Sequence, residues 1–191
     1  MSQQEYQPIA KIPGDDRLTT YPISRPGIWK FYKQQVAQLW VAEEISLGQD
    51  KVDYSEKLTD GQRLFLGVIL TLFATLDKFV IINIAKKFKD IFGIYEIDMF
   101  YDAQTFIENI HAEVYSQLID TYILDENEKL KMINGWKTNP AIHKIVKWIQ
   151  DVFDDDKMSA AEAVFRMVIV EGVVFPIGFV PIYWITDNPL G

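Results

Sequence analysis

The chain of 191 residues contains no cysteine. Disulfides, zinc–thiolate sites and thiol nucleophiles are therefore excluded. Positive charge is also short. Nineteen Lys and Arg stand against 27 Asp and Glu, a net charge of −8, which argues against nucleic acid or an anionic membrane as partner. No Gly-rich phosphate loop, G-x-S-x-G elbow, strand-period alternation, internal repeat or low-complexity segment occurs. The first residues lack a basic segment followed by an apolar one, so no signal peptide is expected. The longest uncharged run, Gly172–Thr186, is too short to span a bilayer and holds two prolines. A soluble, cytoplasmic protein is expected. Histidine is scarce, with two in the chain, so the position of each carries weight.

What is present is apolar and helical in pattern. Hydrophobic residues make up 49% and aromatics 14%, enough for one domain with a sizeable core. Residues 1–26 read as an irregular arm with prolines at 8, 13, 22 and 26. Residues 27–191 read as one all-α domain of long antiparallel helices. Pro26 suits a first helical turn, and the helix it opens is expected to run from Gly27 to Glu44. Ile28, Phe31, Val36, Leu39 and Trp40 are expected among its buried positions. A connector follows through Gly48 and Asp53. Thr59 or Asp60 caps the next helix, which is apolar almost all round from Leu64 to Ile84, the mark of a central helix. Lys86-Lys87 suits its C-terminus, and Gly93 closes the connection to a third helix, from about Tyr95 or Asp98 to Ile123. Asp125–Lys129 reads as a solvated turn, followed by helical stretches near 126–135 and 140–153. Asp154-Asp155-Asp156 reads as loop and cap. A last helix runs from Ser159 to about Ile185, with kinks expected at Pro176 and Pro181.

The third helix carries the chemistry. In Glu108-Asn-Ile-His-Ala-Glu-Val-Tyr115 the acid and the imidazole lie three apart and share a helix face. Such a pair is half of the ligand set in a di-metal carboxylate bundle. Tyr115 lies one turn further on the same face, with a Cβ spacing of ~6 Å, within reach of oxidation by such a centre. Asp77 and Glu171 each interrupt a greasy helix. A buried lone carboxylate needs a partner or a metal, although a helix acid facing solvent explains either one taken singly. Carboxylates with an imidazole suit iron or manganese. The second histidine, His143, has Pro140 where a second Glu-x-x-His would need its acid, so a structural role is expected for it. Val174, Phe175 and Phe179 could keep water from Tyr115 or simply pack the core.

These residues resemble the small, radical-generating subunit of class I ribonucleotide reductase. The resemblance runs from about Tyr21 to the last residue. It includes Tyr21-Pro-Ile, Ile28-Trp-Lys-Phe-Tyr-Lys, Leu39-Trp-Val-Ala-Glu-Glu-Ile, Glu108-Asn-Ile-His, Tyr115-Ser-Gln-Leu-Ile-Asp-Thr-Tyr-Ile123 and Val170-Glu-Gly-Val-Val-Phe175, in the family's order and spacing. It implies the N-terminal part of a ferritin-like bundle and a di-iron site, with manganese as the other metal of that ligand type. Asp77, Glu108, His111 and Glu171 would be ligands, and Tyr115 the radical tyrosine. Phe175 and Phe179 would line its pocket. Trp40 would begin, with His111, the electron path to a large catalytic subunit that makes deoxyribonucleotides.

The family's second Glu-x-x-His and its subunit-docking tail have no counterpart in these residues. The expectation is therefore the N-terminal half of a split subunit, completed by a companion chain that brings the second Glu-x-x-His, and self-associating as a dimer. A metal-free scaffold, another ferritin-like oxidase and a shortened chain are the competing readings.

Overall fold

The structure is a computed structural model that describes residues 17–84, 88, 92–154 and 158–187. Among these residues there is no strand. The Lys86-Lys87 pair, Asp155-Asp156, the segment 188–191 and positions 1–16 of the arm lie outside the described residues. Residues 17–25 are irregular as expected.

Two long helices form the frame. Helix α3 (Asp60–Asn83) starts at Thr59, whose hydroxyl accepts from the Gln62 N–H at 3.3 Å while the Gln62 amide oxygen accepts from the Thr59 N–H at 2.8 Å. This reciprocal cap satisfies two donors that a helix start leaves open. Helix α4 (Tyr95–Tyr122) begins just after Gly93, whose φ of 54° only glycine adopts freely. The two helices pack along their lengths. Phe73, Leu76, Val80 and Ile84 are fully buried in the main cluster, with Val146, Ile149, Val170 and Phe175 from later helices.

The first helix differs from expectation. Helix α1 (Pro26–Val36) stops eight residues early, and Ala42–Glu44 forms a separate 3-10 turn. None of Ile28, Phe31, Val36, Leu39 and Trp40 is fully buried, and Phe31 is 61% exposed. The reason is packing. The helix lies mainly on α4, and one neighbour covers one face. The break after Val36 turns Trp40 onto α4. The expected connector is helix α2 (Gly48–Glu56), held by the one-turn pairs Gln49–Asp53 at 2.7 Å and Lys57–Asp53 at 2.9 Å. Glu96, at the start of α4, is completely buried and ties down the arm. It accepts both oxygens' worth of Arg17 guanidinium at 2.9 and 3.0 Å and the Ser24 N–H at 2.7 Å.

Three short helices follow: α5 (Glu126–Ile133), α6 (Gly135–Thr138) and α7 (Pro140–Phe153). Asp125 is the cap of α5 and Lys129 lies inside it, so the expected solvated turn is a helix start. The last helical run comprises α8 (Ala160–Ile169), a wide π-turn (Val170–Val174) and α9 (Phe175–Asp187). Ser159 caps it, with Glu162 answering. A proline donates no N–H. The π-turn falls just before Pro176, and the helical run continues through Pro181 to Asp187. By length and composition alone, α3 and the stretch Ala160–Ile185 would each cross a membrane. Helix α3 is instead the central helix of the core, with Asp77 buried in its middle.

Candidate metal centre

Three elements meet at the acids. Asp77 comes from the middle of α3, Glu108 and His111 from α4, and Glu171 from the π-turn. Asp77 is 1% exposed and Glu108 7%. Asp77, Glu108 and His111 each offer a donor atom, all within 4.8 Å of one another. The His111 Nδ1 and Glu108 Oε2 lie 2.9 Å apart, and the Gln104 amide donates to the other Glu108 oxygen at 3.4 Å. Glu171 stands outside that tight group, but its charge acts on Asp77 and on Tyr115. π-turns recur at functional positions, because they re-aim a side chain without breaking the helix.

The electrostatics are those of a site lacking positive charge. Burial, then the charges of Glu108 and Glu171, push the Asp77 carboxyl up to about 8. Burial, then Glu108, push Glu171 up to about 7, against an opposing pull from His111. Asp77 Oδ2 and Glu171 Oε1 are buried and have no hydrogen-bond partner. Buried orphan oxygens are costly. Two carboxylates and one imidazole within 4.8 Å of one another, with the Glu171 carboxylate acting on them through its charge, form a donor set that fits iron or manganese, and a cation held there would satisfy the Asp77 orphan.

Aromatic rings extend the site in both directions. The Trp40 and His111 rings are 5.8 Å apart, and the His111 and Tyr115 rings 6.4 Å. Burial, then the charges of Asp77, Glu108 and Glu171, raise the Tyr115 phenol far above its ordinary range. On its other side Tyr115 meets Phe73 at 5.4 Å, and Phe73 meets Phe179 at 4.5 Å and Phe175 at 5.6 Å. Phe175 and Phe179 thus lie near Tyr115 through Phe73, a residue the sequence reading did not single out. Its signal was its place one turn before Asp77 on α3. Gly178 makes room for it, since a Cβ there would strike the Phe73 ring. His143 is exposed, with Nδ1 3.3 Å from the Trp136 carbonyl; it takes no part in the site.

A family model described as "Ribonucleotide reductase, small chain" matches residues 17–190. The ribonucleoside-diphosphate reductase small subunit of Dictyostelium discoideum is 42% identical over 184 residues, 96% of this chain and 54% of that protein. Among solved structures, the ribonucleotide reductase R2 subunit from Clostridium botulinum superposes with a TM-score of 0.76 at 25% identity, over 84% of this chain and 51% of that one. The ribonucleotide reductase Rnr4 homodimer from Saccharomyces cerevisiae gives 0.77 at 29% identity, over 91% and 55%. The chain spans about half the length of the relatives it matches.

Proposed function

This chain belongs to the ribonucleotide reductase small-chain family, and from that premise we propose that it forms the N-terminal part of the radical-generating subunit of a cytoplasmic ribonucleoside-diphosphate reductase. The observation that carries the reading is the donor cluster of Asp77, Glu108 and His111, with Tyr115 one turn further along the same helix.

Asp77, Glu108, His111 and Glu171 would hold a di-iron or di-manganese centre, together with a second Glu-x-x-His from a companion chain. The centre, when bound, supplies dioxygen activation. The chain's own residues do the rest. Tyr115 would give one electron to the dioxygen-derived oxidant that the bound centre supplies and, because burial keeps its phenol protonated, its Oη proton to one of the carboxylates whose charges reach it, Asp77, Glu108 or Glu171. Phe73, Phe175 and Phe179 exclude water from the resulting tyrosyl radical, which lasts only in a dry pocket. Trp40, ring to ring with His111, carries the electron exchange toward the large catalytic subunit. The assembled subunit pairs into a dimer, as the yeast relative does.

The test is metal stoichiometry by elemental analysis, with electron paramagnetic resonance, on the chain alone and with a companion. Expected are weak metal binding alone, and two metals with a tyrosyl signal in the complex. A chain that alone holds two metals and forms a radical would end the split-site reading.

A further inference from the structure

Tyr54, on α2, and Tyr122, the last residue of α4, are far apart in sequence but stack ring on ring. Their centroids are 4.6 Å apart and their planes 6° from parallel. Carbons in contact sit about 3.5 Å apart, so parallel rings with this centroid distance are offset rather than superposed. An offset lays edge carbons of one phenol against the other ring. Both residues are half-buried, and both border two grooves, of about 640 and 310 Å3, so a small solute reaches them. Burial raises both phenols, Tyr122 up to about 12, and both are protonated at neutral pH. After burial, the charge of Asp50 acts on Tyr122; on Tyr54, Arg63 opposes burial and Glu128 adds to it. A carboxylate whose charge reaches each phenol favours the positive charge that builds as a ring loses an electron.

We propose that Tyr54 and Tyr122 are an oxidative modification site, joined through their Cε carbons as dityrosine by one-electron oxidants of the carbonate-radical class. Each carbonate radical takes one electron and one proton from a phenol and leaves as bicarbonate. The two tyrosyl radicals so formed pair their electrons in a Cε–Cε bond. The hydrogen on each joined carbon then moves to the oxygen of its own ring, which restores two phenols. In sum the protein loses two hydrogens and two carbonate radicals become two bicarbonates. The product ties α2 covalently to the end of α4. The site lies outside the donor cluster and needs neither a metal nor a companion chain. Tyr115 packs with Tyr122 on Leu70, Ile119 and Ile123. Its own ring neighbours among the described residues are Phe73 and His111, and neither couples with a tyrosyl radical to give this product. Coupling is therefore set by which phenols stack.

The test exposes the 191-residue chain to carbonate radicals made by photolysis of persulfate in bicarbonate. The monomer band of a denaturing gel is then read by dityrosine fluorescence and by mass mapping of its peptides. Expected in the wild type is a peptide pair joined at Tyr54 and Tyr122 and lighter by two hydrogens. Tyr54→Phe and Tyr122→Phe keep both rings and should keep the circular dichroism, yet each should lose monomer fluorescence at least tenfold. Tyr21→Phe, at a residue 70% exposed, should retain it. The peptide map of the wild type stands whether or not a variant folds. Monomer fluorescence undiminished in both variants of the pair overturns the proposal. So does a wild-type map whose links join other tyrosines, whose links run only between chains, or in which Tyr54 and Tyr122 are hydroxylated without being joined.

Discussion

The indole of Trp40 sits 5.8 Å, centre to centre, from the imidazole of His111 and tilted 31° to it, although 71 residues separate them and Trp40 lies on no regular helix. The ring is half-buried and outside the main core cluster. Trp40→Phe is therefore expected to change stability by about 1 kcal/mol or less while sparing radical formation and suppressing nucleotide reduction. A phenyl ring is much harder to oxidise than an indole. Loss of metal and of thermal stability together would show instead that Trp40 is a structural anchor.

Tyr115→Phe deletes a hydroxyl and leaves the ring against Phe73 and His111. Fold and metal content should be unchanged and the tyrosyl resonance absent. An undiminished signal in the variant would move the radical to another residue.

Phe73 and Gly178 form a ring-on-backbone seat. Gly178→Ala should drive the Phe73 ring out of place and cost about 1–3 kcal/mol, and Phe73→Ala about 3–5 kcal/mol, both read by denaturant unfolding. Because Phe73 separates Tyr115 from the phenylalanines of α9, any radical in Gly178→Ala should also decay faster. A variant of wild-type stability would mean that the ring has free space to move into.

Burial alone would raise the Glu96 carboxyl. The Ser24 N–H, the Arg17 guanidinium and the Ser24 hydroxyl outweigh it and hold the group at about 2, below its reference of 4.5. A depressed folded-state value stabilises above the unfolded one. The contribution, on the order of 3 kcal/mol, is thus complete above pH 4.5 and vanishes as the pH falls toward 2. Wild type and Glu96→Gln should therefore differ most near neutral pH and converge in acid. Unfolding curves that stay parallel from pH 6 to pH 2.5 would refute the clasp.

The parts of this fold that were legible in the sequence are local. Thr59 or Asp60 announces a helix start, and Glu108 with His111 and Tyr115 announces a face within eight residues. The illegible parts are decided at a distance. Helix α1 ends at Val36 because α4 offers Trp40 a place beside His111, and nothing between Val36 and Glu44 encodes that. Arg17 finds Glu96 across 79 residues. Phe73 stands in an apolar helix among residues of its own kind, so periodicity cannot mark it out. Pro176 read as a kink because a missing hydrogen bond does not specify how the backbone absorbs it.

The wide turn under Glu171 makes the acid cluster mechanically unequal. Asp77 and Glu108 ride on regular helices, and shifting either drags a packed core along. Glu171 rides on a five-residue π-turn, whose wider winding re-aims its side chain relative to a regular helix. Two walls of the site are thus set by regular helices and the third by a turn, with Tyr115 on the same helix as Glu108 and His111.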